Sequence, residues 1–119
     1  MAKILQIIPS LDKINGGVER GTLDVAKELI NVGFESAILS SGGEMAEKYK
    51  YRGVNHYKLK LKEKGFVNFF LARRKINSIL SEVSPDIVHI RSRWPAFCFN
   101  SIFKKAKIPF VTTYHGTYS

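Results

Sequence analysis

Short apolar runs alternate with longer amphipathic segments along this chain. The runs have the length and composition of strands that are buried on both faces, and they cover Lys3–Pro9, Phe34–Ser41, Val54–Leu59, Asp86–Ile90 and Ile108–Tyr114. The segments between them predict helices, which cover Val18–Val32, Glu44–Arg52 (short and polar), Phe66–Ser84 and Ala96–Lys107. Gly33 is placed to cap the first helix and Pro85 to end the third.

This alternation predicts parallel strands that are joined by right-handed crossovers, with helices on both faces of one sheet. We expect a Rossmann-like, doubly wound α/β domain over residues 1–119, with the strand order 3-2-1-4-5. Two helical stripes should face the core. In the first helix the stripe is Val18, Thr22, Val25, Ala26, Leu29 and Ile30, and in the long helix it is Phe69, Ala72, Ile76, Ile79, Leu80 and Val83.

Composition narrows the class of protein. The 119 residues are 45% hydrophobic, so the chain can bury a core, and no apolar run approaches the roughly 18–20 residues that span a bilayer. We see no signal peptide and expect a cytoplasmic protein. Cys98 is the single cysteine, which excludes an intramolecular disulfide, and its apolar neighbours favour a core position.

The formal net charge of +9 indicates an anionic partner. Nucleic acid, an acidic membrane surface and a phosphorylated substrate all satisfy this condition, and charge alone does not choose among them.

Ligands of doubly wound sheets bind outside the carboxyl ends of the strands, where the strand order reverses. Here that point lies between the first and fourth strands. The loops that should face it are Ser10–Gly17, Arg91–Pro95 and His115–Ser119.

The first of these loops ends in Gly16-Gly17 and leads directly into a helix, whose N-terminus can hold an anion. A plain flexible turn explains the glycines equally well. Glu19 can belong to a site or simply complement the helix dipole, whereas Arg20 near a helix N-terminus is unfavourable and favours a site role. The motif is neither G-x-G-x-x-G nor a Walker A loop, which disfavours NAD and ATP.

The other two loops carry cations and a histidine. Arg91 and Arg93 can bind phosphate or carboxylate bidentately, or form a solvated basic turn. His115, between Tyr114 and Gly116, is placed to face the crevice and to bond a sugar hydroxyl or transfer a proton. We expect His89 to be a hydrogen-bonded core histidine, and we assign no role to His56.

Four segments in this order, ILQIIPSL, GGVERGT, DIVHIRSR and VTTYHG, resemble the family 4 glycosyltransferases of GT-B architecture. The resemblance implies an acceptor-side first domain and a second domain that binds a nucleotide-sugar. It places Gly16-Gly17 near the donor pyrophosphate and the acceptor, and His115 near the donor sugar as the catalytic residue. Acceptor contacts are expected from Glu19, Arg20, Arg91, Arg93, Tyr114 and Gly116.

The family also implies retention of anomeric configuration, no divalent metal and no cofactor beyond the nucleotide-sugar co-substrate. The donor domain, with its E-x7-E pair, is expected outside these 119 residues, so the chain alone should be inactive. The expected acceptor is a glycan or a lipid-linked molecule of cell-envelope polysaccharide or lipopolysaccharide synthesis.

A basic and aromatic stripe follows the third strand and suits an anionic membrane surface. Its predicted membrane contacts are Lys60, Lys62, Lys64, Phe66, Arg73 and Arg74. Solvated lysines beside core phenylalanines remain an equal interpretation.

Two other functions stand as alternatives: a non-catalytic Rossmann-like or flavodoxin-like binding module, and a basic nucleic-acid-binding domain. No recognised nucleic-acid motif is present, so we expect no nucleic acid partner.

Overall fold

A parallel five-stranded sheet forms the centre of the protein. The computed structural model describes residues 2–9, 11, 17–43, 53–59, 66–91 and 93–113. The strands are β1 (Lys3–Ile7), β2 (Glu35–Ser40), β3 (Val54–Lys58), β4 (Ile87–Ile90) and β5 (Phe110–Thr112), and the helices are α1 (Gly17–Asn31), α2 (Phe66–Val83) and α3 (Arg93–Ala106). The order across the sheet is β3-β2-β1-β4-β5, and each neighbouring pair is parallel, as predicted.

The sheet divides the core into two layers. Alternation along β1 sends Leu5 and Ile7 to the face that α2 and α3 cover, where they join Phe99 and Phe103 in the larger apolar cluster. Ile8 points to the opposite face, into a smaller cluster beneath α1. Each fully buried large side chain contributes about 1.5–3 kcal/mol, so the face of α2 and α3 carries most of the hydrophobic stabilisation.

Helix α1 ends in a Schellman motif. Gly33 adopts a φ of 97° and donates from its amide to the Ile30 carbonyl at 3.1 Å, while Phe34 donates to the Leu29 carbonyl at 2.8 Å. The predicted cap at Gly33 is therefore confirmed. Helix α2 ends at Val83, two residues before Pro85.

The predicted inner face of α1 was partly wrong. Thr22 and Ala26 are buried as expected, but Val25 is exposed, and Leu23 takes the core position instead. The helix is rotated about its axis relative to the prediction, because it packs mainly against β2 and β3. The stripe of α2 is confirmed, with Ala72, Ile76 and Val83 buried and its remaining members packed against the same cluster.

The starts of two elements differ from the predictions by two or more residues. Helix α3 begins at Arg93, three residues before the predicted start, because a proline in the first helical turn lacks only an amide that would have no helical partner. Strand β5 begins at Phe110, since Ile108 closes the end of α3 through a bond from its amide to the Phe103 carbonyl. The predicted helix over 44–52 lies outside the described residues.

Cys98 is fully buried in the larger cluster, which confirms its predicted core role. Burial raises the pKa of its thiol to about 11, although the nearby Arg73 charge acts in the opposite direction. The group therefore stays a neutral thiol at physiological pH and is a poor nucleophile.

Candidate functional site

The carboxyl ends of β1, β4 and β5 meet along one edge of the sheet. Hydrogen bonds continue past the strands there, with Arg91 donating from its amide to the Ile7 carbonyl at 2.9 Å and Thr113 to the Ile90 carbonyl at 2.9 Å. The predicted reversal point between the first and fourth strands thus coincides with the observed junction of β1 and β4.

Arg91 is the best defined cation at this edge. It is half-buried, and its Nε donates a hydrogen bond of 2.8 Å to Oε1 of Gln6. Burial lowers the pKa of the Arg91 guanidinium. Arginine nevertheless remains protonated at neutral pH, so the edge carries a positive charge in a partly desolvated position, which strengthens its interaction with an anion.

Gln6 connects this cation to α1. The residue lies in the central strand and is fully buried, and its Nε2 donates to the carbonyl of Thr22 at 3.1 Å. The sequence analysis did not single out Gln6, and it named Thr22 only as a core-facing residue of the first helix. The signal that could have identified Gln6 was its amide side chain inside an otherwise apolar buried strand. Burial of an amide costs free energy unless both of its polar atoms are hydrogen-bonded.

The start of α1 lies beside this cluster. Gly17 is the first helical residue, Glu19 in the first turn is half-buried, and Arg20 is exposed. The chain that leaves β1 is tied to the end of β2, because Ser41 donates from its amide to the Pro9 carbonyl and Leu11 donates to the Gly42 carbonyl, both at 2.9 Å. These bonds attach Pro9 and Leu11, at the beginning of the predicted glycine-containing loop, to the end of β2.

His89 is hydrogen-bonded, as predicted, although it is half-buried and not fully enclosed. Its Nε2 lies 3.1 Å from Oγ1 of Thr113, which connects β4 to the residue after β5. This contact holds the beginning of the loop after β5 next to the junction of β1 and β4.

Several predicted site residues lie outside the described residues: Gly16, Tyr114, His115, Gly116, Lys60, Lys62 and Lys64. Arg93 and Phe66 are described only as the first residues of α3 and α2. Of the predicted site residues, the structure therefore ties Arg91, through Gln6, to the backbone of Thr22 in the second turn of α1.

The predicted membrane residues on α2 differ in their surroundings. Nη1 of Arg73 donates to the carbonyl of Cys98 at 2.8 Å and to Oγ of Ser101 at 2.9 Å, so this side chain joins α2 to α3. Arg74 is exposed. Both line a groove of about 550 Å³ between the two helices, together with Lys105.

Two kinds of feature are absent from the described residues. No described helix is long and apolar enough to cross a membrane. No group of three or more histidine, cysteine or acidic residues in the same part of the chain is arranged to hold a metal ion.

Comparison with known proteins then decides the family. The sequence profile of Glycosyltransferase Family 4 matches residues 15–119. The chain belongs to glycosyltransferase family 4. A glycosyltransferase from Rickettsia africae is 34% identical, with a TM-score of 0.82 over 99% of this chain and 31% of its own. No curated protein gave a significant match.

More distant structures support the fold of this family 4 domain. MurG from Acinetobacter baumannii has a TM-score of 0.73 at 15% identity, over 98% of this chain and 37% of its own. The carboxyl-terminal domain of a Pyrococcus furiosus hydrogenase has a TM-score of 0.68 at 17% identity, over 94% of this chain and 91% of its own. The chain spans about a third of the length of the two transferases, and its fold is that of one Rossmann-like half of a GT-B enzyme.

Proposed function

We propose that this domain is the acceptor-side half of an enzyme that transfers a sugar from a nucleotide-sugar to a glycan or lipid-linked acceptor. The domain spans residues 1–119, and a second Rossmann-like domain elsewhere in the full-length protein binds the donor. Without that domain the 119 residues are inactive, because the nucleotide has no binding surface. The acceptor belongs to cell-envelope polysaccharide or lipopolysaccharide synthesis.

The observation that carries this proposal is the buried attachment of Arg91 at the reversal point of a family 4 fold. Because Nε bonds to Gln6, the two terminal nitrogens of the guanidinium are the atoms that can hold a phosphate or carboxylate bidentately. An anion at this edge would also lie close to the N-terminus of α1, whose free amides favour negative charge.

The residues of this chain act by positioning and by electrostatic stabilisation. Gly16 and Gly17 let the backbone approach the donor pyrophosphate, and His115 contacts the donor sugar. The acceptor is held by Arg91 and the remaining predicted contacts, which are Glu19, Arg20, Arg93, Tyr114 and Gly116. Transfer proceeds with retention and without a divalent metal, and the leaving phosphate assists deprotonation of the acceptor hydroxyl, so the protein need not supply a strong base.

The test is sugar transfer by the full-length enzyme, assayed with a panel of nucleotide-sugars and lipid-linked acceptors in the presence of EDTA. We expect retained configuration in the product, and a loss of about 10²-fold or more in kcat/KM for His115→Ala and Arg91→Ala. Lys27→Gln, an exposed change on α1, is the control. Undiminished turnover in both site variants, or an absolute requirement for a divalent metal, would contradict the proposal.

We also propose that the enzyme attaches peripherally to the anionic inner face of the membrane through α2 and α3. Three apolar side chains at the N-terminal half of α2 are exposed: Val67 (73%), Phe70 (64%) and Leu71 (44%). Arg74 follows Phe70 by about one helical turn and lines the groove between α2 and α3 together with Lys105. Neither α2 before Glu82 nor α3 contains an acidic residue. Exposed apolar groups with cations around them suit a headgroup layer.

Co-sedimentation with vesicles tests this attachment. One set contains phosphatidylcholine alone and the other adds phosphatidylglycerol. Loss of one cation near an anionic surface costs about 1 kcal/mol, so Arg74→Gln should reduce binding to the anionic vesicles about fivefold. Val67→Ser should weaken binding, whereas Val32→Ser should not, since Val32 is a similarly exposed valine that follows α1. Equal recovery with both vesicles, insensitive to salt, would refute the attachment.

A further inference from the structure

Gln6 occupies a position where an apolar residue would be expected. It lies in β1, the central strand, where it pairs with Ile38 of β2 and His89 of β4, and it has no exposed surface. Leucine or methionine would fill a similar volume without burying an amide. A buried polar side chain in such a position is retained at a cost in stability, so its hydrogen bonds indicate what it does.

Both polar ends of the Gln6 amide have a partner of the opposite kind. The nitrogen donates to a backbone carbonyl, that of Thr22, and the oxygen accepts from a guanidinium N–H, that of Arg91. A carbonyl can only accept and a guanidinium can only donate, so a flipped amide would lose both bonds. The orientation of the Gln6 side chain is therefore determined by its surroundings.

We propose that Gln6 is a positioning residue that holds the Arg91 guanidinium in one orientation and couples it to the first turns of α1. This inference rests on the proposed function, in which Arg91 binds an anionic group of a substrate. The Nε bond of 2.8 Å directs the plane of the guanidinium, and the bond to Thr22 ties that plane to the helix that follows the glycine loop. A preordered arginine loses less side-chain freedom when it binds an anion.

The first test reads the orientation of Arg91 without any ligand. In NMR spectra of the full 119-residue chain, the Arg91 Nε–H should exchange slowly with water, because it is hydrogen-bonded and half-buried. Gln6→Leu should make this exchange fast, whereas Gln6→Glu, which keeps an acceptor for Arg91, should leave it slow. Ser36→Ala is the matched control, since its buried hydroxyl on the same face has no hydrogen-bond partner among the described residues.

The second test uses inorganic pyrophosphate as an anion probe, with binding followed by chemical shifts. Gln6→Leu should weaken binding about tenfold, which corresponds to about 1.4 kcal/mol. The same substitution in an Arg91→Ala background should have no further effect, since Gln6 acts through Arg91. An equal effect in both backgrounds would mean that Gln6 only stabilises the fold, and would overturn the inference.

The outcomes also separate this inference from the proposed function. Slow Nε–H exchange that survives Gln6→Leu overturns the positioning role, whatever the enzyme does. Absence of pyrophosphate binding in the unaltered chain counts against Arg91 as an anion site, while the exchange measurement still decides the role of Gln6. If Gln6→Leu does not fold, Gln6→Met provides the same removal of both hydrogen bonds with a more adaptable side chain.

Discussion

Two consecutive arginines on α2 offer a matched test of what holds the helical layer together. Arg73 bonds to α3 through Nη1 and lies with its guanidinium 5.5 Å from the centre of the Phe69 ring. Arg74 is exposed and makes none of these contacts. Replacing either residue with methionine removes the same charge and changes helix propensity little, so a difference between the variants reports the contacts of Arg73.

The expected size of the difference follows from these contacts. The partly buried bond from the charged Arg73 side chain to the Cys98 carbonyl contributes about 1–1.5 kcal/mol once solvent screening is allowed for. The bond to the exposed Ser101 adds little, and the cation–π contact adds about 0.5 kcal/mol at a surface position. We therefore expect Arg73→Met to lower the free energy of unfolding by about 1.5–2 kcal/mol, and Arg74→Met to change it by less than about 0.5 kcal/mol.

Urea unfolding followed by far-ultraviolet circular dichroism measures both variants. A loss of 1.5–2 kcal/mol also lowers the Tm by several degrees in a domain of this size, so a thermal scan gives a second reading. Equal stabilities for the two variants, or a larger loss for Arg74→Met, would refute the assignment of Arg73 as the link between α2 and α3.

Three further predictions concern the fold. Gly33→Ala should destabilise the domain by about 1–2 kcal/mol, since φ is 97° there, whereas Gly21→Ala within α1 should stabilise it by about 0.5–1 kcal/mol. Urea unfolding measures both changes in the free energy of unfolding, and changes of the same sign would contradict the assignment of Gly33 as the helix cap. Phe103→Ala should cost about 3–5 kcal/mol, because the side chain is fully buried between Phe99 and Phe110, and a loss below about 1 kcal/mol would disprove close packing there. Burial raises the pKa of the Cys98 thiol to about 11, so the thiol of the unfolded chain ionises at lower pH than that of the folded chain. The stability of the protein should therefore fall between about pH 9 and pH 11, relative to that of the Cys98→Ala variant. Parallel pH profiles of stability for the two proteins would contradict this.

The class of fold and the strand order followed from the sequence because each rests on a local pattern. Buried parallel strands are near-continuous apolar runs, and their alternation with helices leaves few topologies once crossovers must be right-handed. The predicted position of the ligand edge followed from the same topology, and it pointed to the loop that begins at Arg91. The cap at Gly33 could also be predicted, since a glycine after an amphipathic segment commonly ends a helix.

Details that depend on contacts between distant parts of the chain were less accessible. The rotation of α1 that buries Leu23 and exposes Val25 depends on which strands the helix covers, and helical periodicity permits either residue to face the core. Likewise, Arg73 looks like a surface cation in the sequence, and only the approach of α3 gives it the Cys98 carbonyl as a partner.

The candidate site shows most clearly which features follow from the sequence pattern and which depend on tertiary contacts. The alternation of apolar runs and helices was enough to place cations and glycines at the carboxyl edge of a parallel sheet, because strand order and loop position follow from that pattern. The link from Arg91 through Gln6 to Thr22 could not be read from that pattern, since the three residues are far apart in the chain and meet where β1, β4 and α1 pack together. A hydrogen bond depends on distance and direction between atoms, and the hydrophobic pattern of a chain contains neither.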